Sequence, residues 1–234
     1  MSNIKTALKA GLVGAFAIAA VPAAQASTVY NLSVWQTPAT CNGDSSCADA
    51  TTSTAPTFTN ANFSNPLGTG TYTSTDGNLS FSVPSGGTDT VQTFLNSGTG
   101  TNGFAANGTL STAGTGIQSA FFFTGGSLNP FTPSSISVLH DDGFSLYLGS
   151  HLEFSSAAPT VAKTDTFLVS AADIASFGSA FELLYVASNG LPEVLNFTVT
   201  PLPLPASVWL FGGALAGLGL LSRRRRKGHL ALAA

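Results

Sequence analysis

The sequence has few charged residues, and the basic ones are nearly missing from its interior. Charged residues make up 8% of the 234 residues, against about 25% in a typical soluble domain. Lys163 is the one Lys or Arg within residues 10–222, whereas all eleven acidic residues lie within residues 44–193. Residues 27–200 therefore carry a charge of 1 − 11 = −10. This excludes nucleic acid as a partner, because phosphate binding requires clustered Lys and Arg.

The basic residues at the N-terminus belong to a predicted secretory signal peptide. Residues 1–9 are basic, residues 10–20 are apolar, and Ala24 and Ala26 form a small-x-small cleavage site. The apolar stretch is too short to cross a bilayer, and the three parts stand in the order of a signal peptide. We expect the secretion translocon and signal peptidase to process this segment, so that the mature chain begins at Ser27.

The basic residues at the C-terminus follow a predicted membrane helix. Residues 206–222 carry no charge. Counted from Leu202, the apolar stretch has about 20 residues, enough for roughly 30 Å of helix. The proline-rich residues 201–205 before it form a stiff, extended segment that cannot join a helix. The basic cluster of residues 223–227 stays on the cytoplasmic side by the positive-inside rule.

This order of proline motif, apolar helix and arginine cluster resembles a PEP-CTERM sorting signal. The matching residues are Pro203, Leu204 and Pro205, followed by Arg223, Arg224, Arg225 and Arg226. Leu204 replaces the Glu of the name-giving tripeptide, as the proline-leucine-proline variant allows. The resemblance covers residues 201–234 and implies recognition by an exosortase, a membrane cysteine protease. It also implies a Gram-negative host that makes extracellular polysaccharide, with transient anchoring in the inner membrane before transfer to the envelope or matrix. A permanent single-span anchor is the alternative.

Cysteines and catalytic motifs are scarce between these two signals. Cys41 and Cys47 enclose five residues, and in an exported chain this spacing predicts a disulfide-closed loop. Metal-hydrolase, nucleotide-binding and thiol-protease patterns are absent. Ser145 follows a His-Asp pair, but it lies on a regular alternating segment without a nucleophile elbow. We therefore predict that the protein is not an enzyme.

The exported part, residues 27–200, is predicted to be an all-β antiparallel sandwich of the jelly-roll or lectin-like type. Apolar residues alternate with polar ones between Gly, Asn and Pro, as is typical of antiparallel sheets. The alternating faces include Tyr30-Leu32-Val34, Leu79-Phe81-Val83, Ile136-Val138-His140, Phe144-Leu146-Leu148, Phe181-Leu183-Tyr185 and Leu195-Phe197-Val199. Residues 117–123 predict a strand that is buried on both sides.

The domain boundaries follow from these patterns. Residues 1–26 are the signal peptide, and residues 201–234 are the sorting signal. Within the sandwich, residues 27–114 are loop-rich, with loops and irregular edge strands expected over residues 41–75, and residues 115–200 form the best-patterned core. One short helix is expected there, because Ser170 and Asp173 form a capping pair.

The strongest candidates for functional residues are Asp141 and Asp142, which lie between two alternating segments. Asp142 followed by Gly143 predicts a tight hairpin turn with an exposed acidic tip. A second interpretation starts from the repulsion between adjacent carboxylates, which a hard cation relieves. Ca²⁺ prefers such carboxylate and carbonyl oxygens on loops. Both interpretations stay open. His140 continues an apolar face and is expected to be packed and hydrogen-bonded, whereas Glu182 is expected to be solvated.

The Asp-Asp-Gly segment also resembles the lectin-like β-sandwich first described in the anthrax protective antigen. A second matching block spans residues 181–195, and the resemblance covers residues 115–200. In sugar-binding members the paired aspartates, often joined by a cis peptide, hold Ca²⁺ that binds sugar hydroxyls. Carried over, Asp141 and Asp142 match the pair, and Asn189 is a candidate further oxygen ligand. Other members use the module as a scaffold only.

Together these features predict an exported protein of the cell surface or extracellular matrix. The first hypothesis is a polysaccharide-associated binding module with calcium as its cofactor. The alternative is a structural component of the envelope or biofilm matrix that binds no ligand. A secreted glycoside hydrolase is a third class, but it would need a cleft with paired carboxylates, and no sequence feature indicates one.

Overall fold

The structure is a computed structural model that describes residues 27–36, 65–85, 90–110, 118–188, 190–203, 210–211, 213–215 and 218. The described residues up to Pro203 form eleven strands and two short helices. In chain order the elements are β1 Thr28–Gln36, β2 Asn65–Ser74, β3 Leu79–Val83, α1 Val91–Asn96, β4 Thr101–Asn102, β5 Ser119–Ser127, β6 Ser134–Asp141, β7 Phe144–Leu148, β8 His151–Ser156, β9 Lys163–Val169, α2 Ala171–Phe177, β10 Ala180–Ala187 and β11 Glu193–Pro201.

The strands form two antiparallel sheets that pack face to face. The larger sheet has the order β4-β2-β1-β5-β10-β7-β8, and the smaller has the order β3-β11-β6-β9. Aromatic rings join the two inner faces: Phe81 stacks on Phe123 with centroids 5.8 Å apart, and Phe181 meets Phe197 at 5.1 Å. The predicted all-β sandwich is therefore confirmed for the described residues.

The core follows the predicted alternation because one side of each inner strand faces the opposite sheet. Leu79, Phe81 and Val83 of β3 are buried, and so are Ile136 and Val138 of β6. Burying one such side chain stabilises the fold by about 1.5–3 kcal/mol. The aromatic pairs add about 0.5–1.5 kcal/mol each. The two-residue period in the sequence therefore reflects the burial of every second side chain in this core.

The central strand β5 is buried on both sides, as predicted. Phe121 and Phe123 point into the core. On the outer face of the larger sheet, a second apolar cluster consists of Ala120, Phe122, Leu184 and Val186. Glu182 lies on this outer face, paired with Thr124 and Tyr147 of the neighbouring strands, and it is 9% exposed. The expectation of a solvated Glu182 is therefore wrong, because β10 is a central strand whose outer face is also covered.

Within residues 41–75, where loops and irregular edge strands were expected, the structure describes the strand β2. Residues 65–74 form a ten-residue strand whose Tyr72 is buried in the core. Its many threonines favour strand structure. Gly70 is required because a Cβ atom there would lie 2.7 Å from the Phe104 backbone. The alternation of apolar and polar residues is weak at these positions, so the two-residue period did not predict this strand.

Of the two short helices, α2 was predicted from the sequence and α1 was not. The N-cap of α2 is Ser170, whose hydroxyl accepts the Asp173 N–H at 3.1 Å, and this confirms the predicted capping pair. The helix α1 was not predicted. Its N-cap is Thr90, whose hydroxyl accepts the Thr93 N–H at 3.0 Å.

Several predicted features lie outside the described residues. They are the signal peptide with Ala24 and Ala26, the Cys41–Cys47 pair, Asn189, Leu204, Pro205 and the arginines Arg223–Arg226. Within the predicted membrane segment, the described residues 210–211, 213–215 and 218 are helical. Among the described residues, no helix is long and apolar enough to cross a membrane.

The sandwich has two ends that matter for function. In the pairing of β6 with β11, Asp141 lies opposite Val194 at one end, and Ser134 lies opposite Pro201 at the other. An eight-residue strand such as β6 separates these ends by about 23 Å. We call the first the acidic end, because it holds Asp141 and Asp142. The second is the exit end, because the chain leaves the sandwich there after Pro201.

Candidate functional site

The segment Asp141-Asp142-Gly143 crosses from one sheet to the other. The strand before it, β6, pairs with β9 and β11, whereas the strand after it, β7, pairs with β8 and β10. The predicted hairpin is therefore wrong. The Asp-Gly turn signal is local, whereas all five residues of β7 are buried in the larger sheet, and that burial decides the pairing.

Gly143 serves close packing in this crossover. A Cβ atom at position 143 would lie 1.9 Å from the carbonyl oxygen of Ala157, a distance that no side chain tolerates. The Gly143 carbonyl accepts a hydrogen bond from the Val186 N–H at 2.9 Å. The crossover is thus held between the residues that follow β8 and the end of β10.

The two aspartates are buried. Asp141 is 5% exposed and Asp142 is 0% exposed, so the predicted exposed acidic tip is wrong. The peptide bond that joins them is cis. Burial of two adjacent carboxylates is costly unless each is hydrogen-bonded or paired with a cation.

Asp142 is satisfied by two loops of the acidic end. Its Oδ2 accepts the Ser188 N–H at 2.7 Å, and its Oδ1 accepts the Thr160 N–H at 3.1 Å. Hydrogen bonds to a carboxylate are about twice as strong as neutral ones. Asp142 therefore links the β8–β9 connection to the β10–β11 connection around the crossover.

Asp141 is less well compensated. Burial and the charge of Asp142 raise the pKa of its carboxyl from 3.8 to about 6, although the Ala162 N–H and His140 oppose this shift. A raised pKa means that the charged form is disfavoured in the folded protein. At neutral pH, Asp141 thus holds a negative charge that its surroundings relieve only in part.

A third carboxylate, Glu193, lies nearby and was missed by sequence reasoning. It is fully buried, and its Oε2 accepts the Tyr185 hydroxyl at 3.0 Å. The same hydroxyl is in hydrogen-bond contact with the backbone carbonyl of Asp141. Burial, followed by the charge of Glu193, raises the pKa of Tyr185 well above its ordinary value. In the sequence Glu193 stands alone, and only the register of β11 with β6 brings it beside the aspartates.

His140 is packed and hydrogen-bonded, as predicted. Its Nε2 lies 3.0 Å from Oδ2 of Asp165, and its Nδ1 contacts the Asp142 carbonyl oxygen. Lys163 also pairs with Asp165, at 3.2 Å. Burial alone would raise the pKa of Asp165, but hydrogen bonds from His140 and Lys163 lower it. Lys163, the one Lys or Arg of residues 27–200, is therefore an ion-pair partner of Asp165.

The donor set of the acidic end fits a hard cation in part. Asp141 and Asp142 supply carboxylate oxygens of the kind that Ca²⁺ prefers, but Ca²⁺ takes 6–8 oxygen ligands. In the part of the chain that the structure describes, no group of three or more His, Cys, Asp or Glu side chains is placed to hold a metal ion. Backbone carbonyls, ligand hydroxyls, water or the Asn189 amide would have to complete the set.

Comparisons with known proteins find distant structural similarities to solved structures, including the following two. No protein-family profile and no curated protein sequence matches the chain. A PA14 domain of the antifreeze protein MpAFP has 12% sequence identity and a TM-score of 0.40, with 73% of this chain and 80% of that one covered. A GH31 alpha-xylosidase from Xanthomonas citri has 9% identity and a TM-score of 0.40, with 80% of this chain and 16% of that one covered. A TM-score of 0.40 is too low to carry an argument about this chain.

Proposed function

We propose that the protein is an exported β-sandwich module that binds polysaccharide through a calcium ion held by Asp141 and Asp142. The observation that carries the proposal is the burial of two adjacent carboxylates, Asp141 and Asp142, at one end of the sandwich. The raised pKa of Asp141 marks a charge that a bound cation would neutralise. A bound Ca²⁺ would present open coordination positions to sugar hydroxyls.

The residues of the chain have distinct roles in this proposal. Asp141 is the ligand whose charge is least compensated, so it contributes most to attracting the ion. Asp142 fixes the crossover through the Thr160 and Ser188 N–H groups and is the second proposed carboxylate ligand. Asn189 is the proposed further oxygen ligand in the β10–β11 connection, next to Ser188.

Export and sorting are part of the same proposal. The signal peptide directs the chain to the translocon, and the PEP-CTERM-like segment anchors it in the inner membrane of a Gram-negative bacterium until an exosortase-type protease processes it. The module then acts in the cell envelope or in the exopolysaccharide of a biofilm. The sequence order of motif, apolar segment and arginine cluster supports this part.

We further propose that the protein is not an enzyme. The hydroxyl of Ser145 lies 2.8 Å from that of Ser155. His140 is engaged with Asp165 instead. These partners support the view that the sequential His-Asp pair and Ser145 do not act as a catalytic triad.

The test is binding of the purified mature chain to a glycan array, with calcium or with a chelator. We expect retention with calcium, loss with chelator and loss in Asp141→Asn. Glu182→Gln is the matched control, because it removes another poorly compensated buried carboxylate away from the acidic end and should keep retention. Calcium-dependent retention that survives in Asp141→Asn would contradict the assigned site.

A second candidate is a structural component of the envelope or matrix that binds no ligand. The observation that favours it is the pair of backbone hydrogen bonds to Asp142, which give this carboxylate an architectural role without any ion. A folded protein that binds neither calcium nor glycans, yet is needed for matrix assembly, would support this candidate over the first.

A further inference from the structure

The exit end of the sandwich carries a loop that has no charged residue and has an exposed aromatic residue. We define this exit face by the β5–β6 loop, residues 128–133, and by the outward residues of α2. Phe131 in the loop is 80% exposed, and Phe177 at the end of α2 is 42% exposed. Phe is among the side chains that insert into a membrane interface.

The loop of this face carries no charged residue, although residues 27–200 are strongly acidic. Asp173 is the one charged residue of α2. Phe177 stacks on His151 with ring centroids 3.8 Å apart, and His151 lies 3.8 Å from Glu153. Contact with an apolar phase therefore has the least electrostatic cost at the loop.

The chain leaves the sandwich directly beside this loop. The Leu202 N–H donates a hydrogen bond to the Pro133 carbonyl at 2.9 Å, two residues from Phe131. The loop itself is ordered by a turn in which the Asn129 side chain accepts the Phe131 N–H at 2.9 Å. Phe131 therefore has a fixed position next to the start of the C-terminal apolar segment.

We propose that the exit face rests on the membrane interface while the chain is anchored, with Phe131 in contact with lipid. This inference rests on the proposed C-terminal anchor. The three residues from Pro203 to Pro205 can reach at most about 11 Å, even for a fully extended chain. That tether is shorter than the roughly 23 Å between the two ends of the sandwich. The exit face is therefore held at the bilayer, and Asp141 and Asp142 face away from it toward the matrix.

The test places a tryptophan at each end of the mature full-length chain. Phe131→Trp probes the exit face, and Val161→Trp is the matched control. Val161 is 79% exposed and lies in the β8–β9 connection at the acidic end. The chains are reconstituted in vesicles of phosphatidylethanolamine and phosphatidylglycerol, with and without lipids brominated near the headgroup. We expect bromine to quench most of the added emission in Phe131→Trp and little of it in Val161→Trp.

The native Trp209 distinguishes a wrong C-terminal anchor from a wrong orientation of the sandwich. Trp35 also emits, so all chains carry Trp35→Phe, and quenching of Trp209 in the chain without an added tryptophan reports whether the C-terminal segment is in the membrane. If Trp209 is not quenched, the anchor is wrong and this inference falls with it. If Trp209 is quenched but the two added tryptophans respond equally, the orientation is wrong and the anchor stands. A blue-shifted but unquenched Phe131→Trp would show that another copy of the chain covers the face, and would also overturn the inference.

Discussion

Replacing Asp141 with Asn should stabilise the calcium-free protein above pH 7 and change little below pH 3.8. The Asn side chain keeps an oxygen that can accept the Ala162 N–H, and it removes the charge that the fold tolerates poorly. Asp141 is the best position for this perturbation, because its carboxyl has a pKa raised from 3.8 to about 6.

The sign follows from proton linkage. Between pH 3.8 and about 6 the folded protein binds more protons at Asp141 than the unfolded chain does. The stability that protonation provides is therefore present at low pH and lost as the pH rises through this window. In Asp141→Asn this loss disappears.

The magnitude follows from the same shift. A change from 3.8 to about 6 corresponds to at most ~3 kcal/mol at ~1.36 kcal/mol per pKa unit. Solvent screening close to the surface reduces this to about 1–2 kcal/mol. The variant should thus gain about 1–2 kcal/mol in the free energy of unfolding above pH 7.

The assay is urea unfolding of the wild type and Asp141→Asn across this pH range, with a chelator throughout. The difference between the two proteins isolates Asp141 from other groups that titrate in the same window. A variant that is less stable than the wild type above pH 7 without calcium would refute the reasoning. So would a difference that does not depend on pH.

Three further predictions concern buried groups of the same fold. Glu182→Gln should raise stability above pH 7 by about 1–2 kcal/mol, because burial raises the pKa of Glu182 from 4.5 to about 7 and the folded state loses stability as pH rises through that window. Urea unfolding on both sides of the window measures this gain. Asp142→Asn should lower stability by about 1–3 kcal/mol, because its amide can accept only one of the two backbone N–H groups, and hydrogen exchange at Ser188 should then quicken. Gly143→Ala should cost more than about 3 kcal/mol, since its Cβ would lie 1.9 Å from the Ala157 carbonyl, and thermal melting would measure the loss.

Each of these predictions has an outcome that contradicts it. A stability difference for Glu182→Gln that is equal at pH 4 and pH 8 would mean that Glu182 does not titrate as described. Unchanged exchange at Ser188 in Asp142→Asn would remove Asp142 from its role in the crossover. A fully stable Gly143→Ala would show that the two segments do not approach closely there.

The strands were predictable where burial leaves a two-residue period. In β3 and β6, alternate side chains face the core, so apolar residues occupy every second position of the sequence. In β5, burial on both sides produces the continuous run of phenylalanines. The strand β2 was not predictable in this way, because its threonines and glycines give little apolar contrast.

The acidic site was predictable in its identity but not in its setting. The two adjacent aspartates are evident from the sequence alone. The crossover, in contrast, depends on which distant strands pair with β7. Glu193 and the buried state of Glu182 depend on strand register and on the covered outer face of the larger sheet. These are long-range properties that local patterns do not encode.

Calcium titration of the purified mature chain by calorimetry tests the central claim most directly. The proposal predicts saturable binding above pH 7 that Asp141→Asn abolishes and Glu182→Gln preserves. At one hundred times its dissociation constant, the bound ion should add about 2.7 kcal/mol to the free energy of unfolding. A folded protein without calcium binding, or with binding that Asp141→Asn leaves unchanged, would contradict the proposal.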